Sequence, residues 1–111
     1  MKLKKNSLSS NKIKIRISKE ASIEINDTIL WYELHQKGLG KEFYKCLLKA
    51  FKNILYYPES YQIAFVNVRR CIIRKFPVSI FYKIDTKENE IIIGAVYHNS
   101  RDLEGLEKRK Y

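Results

Sequence analysis

The hydrophobic period of this chain changes twice, and those two changes set the order of its structural elements. Lys12-Ile13-Lys14-Ile15-Arg16-Ile17 alternates charged and apolar residues, the period-two pattern of a half-buried strand with Ile13, Ile15 and Ile17 inward. From Ser18 the period becomes helical. Ser18 suits an N-cap, Glu20 the first turn, and Ala21, Ile25, Ile29 and Tyr32 recur on one face of a helix expected to run to about Lys37. Gly38-Leu39-Gly40 interrupts it, after which Phe43, Leu47, Ala50 and Ile54 mark a second helix that ends near Tyr57-Pro58. Period two then returns. Tyr61 to Phe65 alternates, Val68 to Phe76 is rich in β-branched residues with Arg69, Cys71 and Ile73 on one face, and Val78, Ile80, Tyr82 and Ile84 share a face of the next strand. The polar run Asp85 to Glu90 turns the chain into Ile91 to Tyr97. The order is β-α-α-β-β-β-β, and strands adjacent in sequence favour an antiparallel sheet with the helical hairpin packed on it, an α+β two-layer domain.

A chain of 111 residues has room for one such core. The apolar runs are far shorter than the roughly 20 residues a membrane span needs. Basic residues at the start are followed by no apolar h-region, so no secretory signal is expected and the cytoplasm is the expected location. Cys46 and Cys71 belong to no metal-binding spacing and read as reduced, buried thiols, so neither a metal nor a cofactor is expected. Charge carries more information. Lys and Arg number 22 against 12 Asp and Glu, a net +10 that calls for an anionic partner. The excess is uneven: residues 1–16 and 67–84 carry basic side chains and no acid.

With the elements in place, four segments acquire a common meaning. They are Trp31-Tyr32-Glu33 near the end of the first helix, Gly38-Leu39-Gly40-Lys41-Glu42-Phe43 at the hairpin, Val68-Arg69-Arg70 through Phe76-Pro77 into Ile80-Phe81-Tyr82, and Ala95-Val96-Tyr97-His98 with Arg101-Asp102. In this order and at this spacing they resemble the ParE/RelE superfamily, the toxins of bacterial type II toxin-antitoxin pairs, with the long hairpin and its GLG turn closer to ParE. The resemblance implies a toxin domain over residues 12–104, between a flexible basic N-terminal segment, 1–11, and a basic C-terminal tail, 105–111. It also implies a cognate antitoxin as partner. RelE-type toxins cut messenger RNA in the ribosome with cationic groups at the scissile phosphate and a nearby acid or base. Here Ser79 stands where that branch would carry an arginine, and the tyrosine expected after Arg101-Asp102 falls near Glu107. Serine cannot neutralise a phosphorane as arginine does. The expected function is therefore ParE-like, non-enzymatic poisoning of DNA gyrase. Endoribonuclease action on ribosomal or free messenger RNA through His98, Arg101 and Arg69 stays open as the alternative. A non-toxic basic nucleic-acid-binding module is a third reading, although the strands lack the paired exposed aromatics and glycine-rich motif of RNA-recognition sheets.

Two surfaces follow. Arg69, Arg70 and Arg74 in one strand region, with His98 and Arg101 after the last strand, form the candidate target-binding surface, if sheet pairing brings both sets to one end; each is equally at home on a solvated basic face. On the helices, Leu30, Trp31, Leu34, Leu48, Phe51 and Leu55 lie off the core faces and are the candidate antitoxin contacts, unless they only zip the hairpin together. Trp31 and Tyr32 also suit rim and core packing, the two glycines suit a tight helix-helix turn, and Pro77 suits a bend between strands.

Overall fold

A computed structural model describes residues 13–109; the expected N-terminal segment 1–11 lies outside them. The elements are β1 (Lys14–Ile17), α1 (Lys19–His35), α2 (Leu39–Tyr56), β2 (Ile63–Phe65), β3 (Val68–Ile72), β4 (Val78–Asp85) and β5 (Glu90–His98), followed by a 3-10 turn, Glu104–Lys108. They build the expected two layers, a helical hairpin on a five-stranded sheet of order β1-β5-β4-β3-β2. The sheet is mixed, and this corrects the all-antiparallel expectation. β2 to β5 form an antiparallel meander, but β1 pairs with β5 in parallel, Lys14 opposite Glu90 and Ile17 opposite Ile93. The reason is that β1 and β5 are far apart in sequence: the helical hairpin and the meander intervene, so no tight turn forces the two strands to run opposite ways.

Ser18 ends β1 and starts α1. Its N–H donates to the Ile93 carbonyl at 2.9 Å while its hydroxyl accepts from the Ala21 N–H at 3.1 Å, an N-cap placed where the sequence puts it. Ile13 and Ile15 pack on the core, but Ile17 is 40% exposed, because the chain is already leaving the sheet there. Ala21, Ile25 and Tyr32 of α1 and Phe43, Leu47, Ala50 and Ile54 of α2 are buried against Cys71, Ile73, Val78, Ile80, Tyr82, Ile91, Ile93 and Val96 of the sheet. No helix among the described residues is long and apolar enough to cross a membrane.

The GLG turn has a local explanation. Gly38 sits at φ +89, a left-handed conformation that costs side-chain-bearing residues about 1 kcal/mol or more. Gly40 lies so close to α1 that a Cβ there would stand 2.6 Å from the Ile29 carbonyl oxygen. The Glu33 carboxylate accepts from the Gly38 and Gly40 N–H groups at 3.0 to 3.1 Å. The positive N-terminal end of α2 is thereby met by an anion from the chain itself.

The opposite face of the sheet has its own small core. Val68, Phe81, Ala95 and Tyr97 are covered by Leu106 of the 3-10 turn, which is wholly buried, with Phe65 and Leu103 alongside. Burying a leucine side chain is worth about 1.5–3 kcal/mol. Residues 105–109, expected as part of a basic tail, are thus part of the packed domain, with Leu106 buried between charged neighbours.

Candidate functional site

The sheet divides the predicted basic residues between its faces. Along β3 side chains alternate, so Arg69 lies on the helix side and Arg70 on the other, opposite Tyr82 and Phe81 respectively. Arg70 is held there by three contacts. Its Nε donates to the Ser79 hydroxyl at 2.9 Å, its Nη2 to Asn99 Oδ1 at 3.3 Å, and its guanidinium stands 5.6 Å from the Phe81 ring centre. The Ser79 hydroxyl, wholly buried, in turn donates to Asn99 Oδ1 at 2.6 Å. A buried hydroxyl without partners would cost about 1–3 kcal/mol, and here both its donor and its acceptor capacity are used.

On the same face, Tyr97 lies between two arginines, with Arg101 3.8 Å and Arg109 5.2 Å from its ring centre. Arg109 also donates to the Tyr97 hydroxyl at 2.9 Å. Its two terminal nitrogens grip the Glu24 carboxylate at 3.1 and 3.0 Å, and one of them reaches the Gly94 carbonyl at 2.8 Å. Glu24 comes from α1 and accepts the Val96 N–H at 3.0 Å. Arg101 approaches the same carboxylate at 3.6 Å. Burial works against the Arg109 charge, but the hydrogen bond and field of Glu24, with Tyr97 and Glu20, outweigh it and hold the guanidinium above its ordinary range.

Arg69, Arg74 and His98 are elsewhere. Arg69 donates to the carbonyls of Glu59 and Tyr61 at 3.0 and 2.7 Å and so fastens the loop after α2. Beside it the Tyr82 hydroxyl donates to the Pro58 carbonyl; burial pushes that phenol well above its usual range despite the opposing pull of Arg69. Arg74 is exposed in the β3–β4 turn. His98 ends β5 on the helix side, where its Nδ1 accepts the Ser100 N–H at 3.2 Å and meets the Ser100 hydroxyl at 2.8 Å. A cavity of about 430 Å³ opens beside it, lined by Asp27, Thr28, Trp31, Tyr32, Val78 and Ser100. No cation lines that cavity, and Asp27 would repel a phosphate. His98, Arg101 and Arg69, the three residues of the ribonuclease alternative, therefore do not converge, because strand alternation sends Arg69 and the Tyr97–Arg101 pair to opposite faces. What does converge is Arg70 with Arg101 and Arg109, linked through Phe81 and Tyr97, whose rings lie 6.1 Å apart.

Sequence reasoning missed Glu24, Asn99 and Arg109. The one available signal was Ser79, a polar residue inside an apolar strand that had to find partners. Glu24 and Arg109 are 85 positions apart and carry no mutual periodicity.

On the hairpin, Leu30, Trp31, Leu34 and Leu48 are 57%, 52%, 77% and 46% exposed. Trp31 stacks on His35 with ring centres 3.7 Å apart, which holds the indole flat on the helix surface. Phe51 is a correction: it is buried in the main core, since four residues place it only about 40° around the helix from Leu47. Leu55 is partly buried against the same core. The exposed apolar surface is thus centred on α1, with Tyr44 and Leu48 beside it on α2.

Residues 15–103 match the model of a family described as the ParE toxin of the type II toxin-antitoxin system parDE. No curated protein matches the sequence. Among solved structures, the chain is similar to the chromosomal ParDE toxin-antitoxin system from P. aeruginosa, with a TM-score of 0.69 at 12% identity over 80% of this chain and 98% of that one. It is also similar to the isolated E. coli RelE toxin, with a TM-score of 0.61 at 14% identity over 86% of this chain and 94% of the other. For the toxin-antitoxin complex RelBE2 from Mycobacterium tuberculosis the TM-score is 0.55 at 14% identity, over 78% of this chain and 98% of that one. At such identities the likeness concerns the fold.

Proposed function

The chain belongs to the ParE toxin family of type II toxin-antitoxin systems, and on that premise we propose that it arrests growth by poisoning DNA gyrase and is neutralised by a cognate antitoxin. One observation carries the choice of target. At the position where the RNA-cutting branch would place an arginine, Ser79 is wholly buried and committed to Arg70 and Asn99. The hydroxyl has no capacity left for a phosphate, and the other candidate catalytic groups lie on different faces. The Arg70 and Arg101 surface then acts as a binding surface, stiffened by Phe81 and Tyr97 and braced by the buried Arg109–Glu24 pair.

The antitoxin reading rests on the exposed stripe of Leu30, Trp31, Leu34 and Leu48. Apolar side chains at i, i+4 spacing with an indole beside them suit the apolar face of a partner helix, and acidic residues on that partner would suit the +10 toxin. The two targets separate in one experiment. Purified toxin is added to a gyrase supercoiling reaction and to a reconstituted translation mixture with primer extension on the message. Loss of supercoiling with trapped DNA breaks is the expected result; codon-phased cuts in the message with gyrase unaffected would overturn it.

A further inference from the structure

Across the solvent face of α2, from beside Leu48 toward the β3–β4 turn, lie Lys41, Lys45, Lys49 and Lys52 at i, i+4, i+8 and i+11, all exposed. That spacing keeps them within an arc of about 80°, roughly 6 Å apart along the axis at each i+4 step. Facing them, the β3–β4 turn presents Arg74 and Lys75. Lys75 sits at φ +75, a conformation an L residue adopts at some cost, and buried Ile73 and Phe76 on either side pin the turn there. Between the two walls lies a cleft of about 860 Å³, lined among others by Lys45, Lys49, Arg74, Lys75, Glu42 and Asn53.

Four cations thus face one carboxylate across a concave surface. None of the four has an ion pair or hydrogen-bond partner among the described residues. Like charges gathered without partners repel one another, so the arrangement does nothing for the fold; a concave wall of one sign concentrates counter-charge. Of the apolar lining, Ala50, Cys71, Ile73 and Phe76 are buried in the domain core, Cys46 and Tyr61 are partly buried against it, and Ile72 alone among the large aliphatic side chains stands exposed at the rim. A polypeptide partner draws affinity from clustered exposed apolar anchors; α1 carries four, Ile23, Leu30, Trp31 and Leu34, whereas the cleft has one large one, Ile72, at its rim. Repeated phosphates ask only for spaced cations and an amide such as that of Asn53.

We propose that the cleft between α2 and the β3–β4 turn binds a nucleic acid strand through its phosphodiester backbone. Lys45 and Lys49 contact phosphates from one wall and Arg74 and Lys75 from the other, while Lys41 and Lys52 extend the track at either end. Contact of this kind is independent of base sequence and strongly salt-dependent.

The test is fluorescence anisotropy of the full chain with labelled duplex DNA, single-stranded DNA and RNA of one mixed sequence, and with a polyglutamate peptide, from low to physiological salt. A variant with Lys45, Lys49, Arg74 and Lys75 all changed to Ala is compared with a charge-matched control in which Lys14, Lys19, Lys87 and Lys108 are changed instead, and urea midpoints establish that both fold. The expected result is nucleic acid binding whose affinity falls with salt, at least tenfold weaker in the cleft variant, with a slope of log affinity against log salt shallower by about 3, and near-native in the control. Equal loss in both variants would mean that only net charge matters, absence of binding at low salt would remove the site, and tighter binding of polyglutamate would assign the cleft to an acidic protein; each would overturn the proposal. The assay contains no topoisomerase, so its outcome is independent of what the toxin inhibits.

Discussion

Arg109 and Glu24 meet in a two-point contact, nitrogen to oxygen at 3.1 and 3.0 Å, with 11% and 14% of their side chains exposed. The pair also finishes the sheet. β1 stops at Ile17, which leaves β5 without a strand neighbour on that edge beyond Ile93. There the Glu24 carboxylate takes the Val96 N–H and the Arg109 guanidinium takes the Gly94 carbonyl, groups that an additional strand would have satisfied. Arg109→Ala leaves a nearly buried carboxylate with only the more distant Arg101 beside it. The expected loss is about 3 kcal/mol, the lower end for breaking a buried pair, read as a drop in the urea midpoint. An unchanged midpoint would return the segment to the status of a tail.

Arg69 and Arg101 are expected to differ although both are candidate target contacts. Arg69→Ala orphans two carbonyls in the loop after α2 and should cost about 1–2 kcal/mol. Arg101, with more than half of its side chain exposed, should cost less than about 1 kcal/mol while weakening toxicity. Paired urea melts and growth assays decide; a stable Arg69→Ala variant that has lost toxicity would make Arg69 a contact residue after all.

On the hairpin, Leu34→Asp should leave the melt unchanged within about 0.5 kcal/mol, because the side chain is largely in water, and should weaken antitoxin binding at least tenfold. Phe51→Ala should instead cost about 3–5 kcal/mol as a core truncation. Calorimetry against the antitoxin checks the first and denaturation the second. Native affinity in the Leu34 variant would move the binding surface elsewhere.

Gly40→Ala brings a methyl against the Ile29 carbonyl at 2.6 Å, a backbone atom that can yield only if the helices part. A cost of about 1–3 kcal/mol is expected. Gly38→Ala, with open space around it but a left-handed backbone, should cost about 1 kcal/mol. Equal melts for the two variants would mean that the close approach is relieved by a small shift of the hairpin.

Alkali should unfold the domain earlier than net charge alone predicts. Burial raises the Cys71 thiol and the Tyr32, Tyr61 and Tyr82 phenols above their ordinary ranges. A group whose folded pKa is raised contributes fully below its unfolded pKa and progressively less as pH rises toward its folded one. Stability should therefore decline from about pH 8.5–10, where unfolded thiols and phenols ionise, and Cys71→Val should flatten the first part of that decline. A slope unaltered by that substitution would leave the phenols as its source.

The period changes made both layers legible, along with the Ser18 cap, the core faces and the glycine turn, because each depends on neighbours within a few positions. The parallel pairing of β1 was not legible, since it depends on where the whole intervening chain delivers β5 rather than on any neighbouring residues. The site was readable only in part. Arg70 and Arg101 were identified by residue type, but their separation from Arg69 and His98 follows from strand alternation and the β5 bulge between Ile93 and Ala95, and the Arg109 clamp closes over 85 residues. Phe51 was misplaced by a margin of about 40° on a helix whose buried sector is wider than the four residues that announced it.

The parallel edge has a consequence for how the molecule is made. Lys14 to Ile17 leave the ribosome early, but their only strand partners are Glu90 to Ile93, so β1 stays without a ladder until nearly the whole domain has been synthesised. A nascent chain stalled before residue 90 is expected to protect its helical hairpin from hydrogen exchange while its first strand exchanges freely. Synthesis order and assembly order are therefore opposed at this edge, and the complete sheet arrives late rather than growing from the N-terminus.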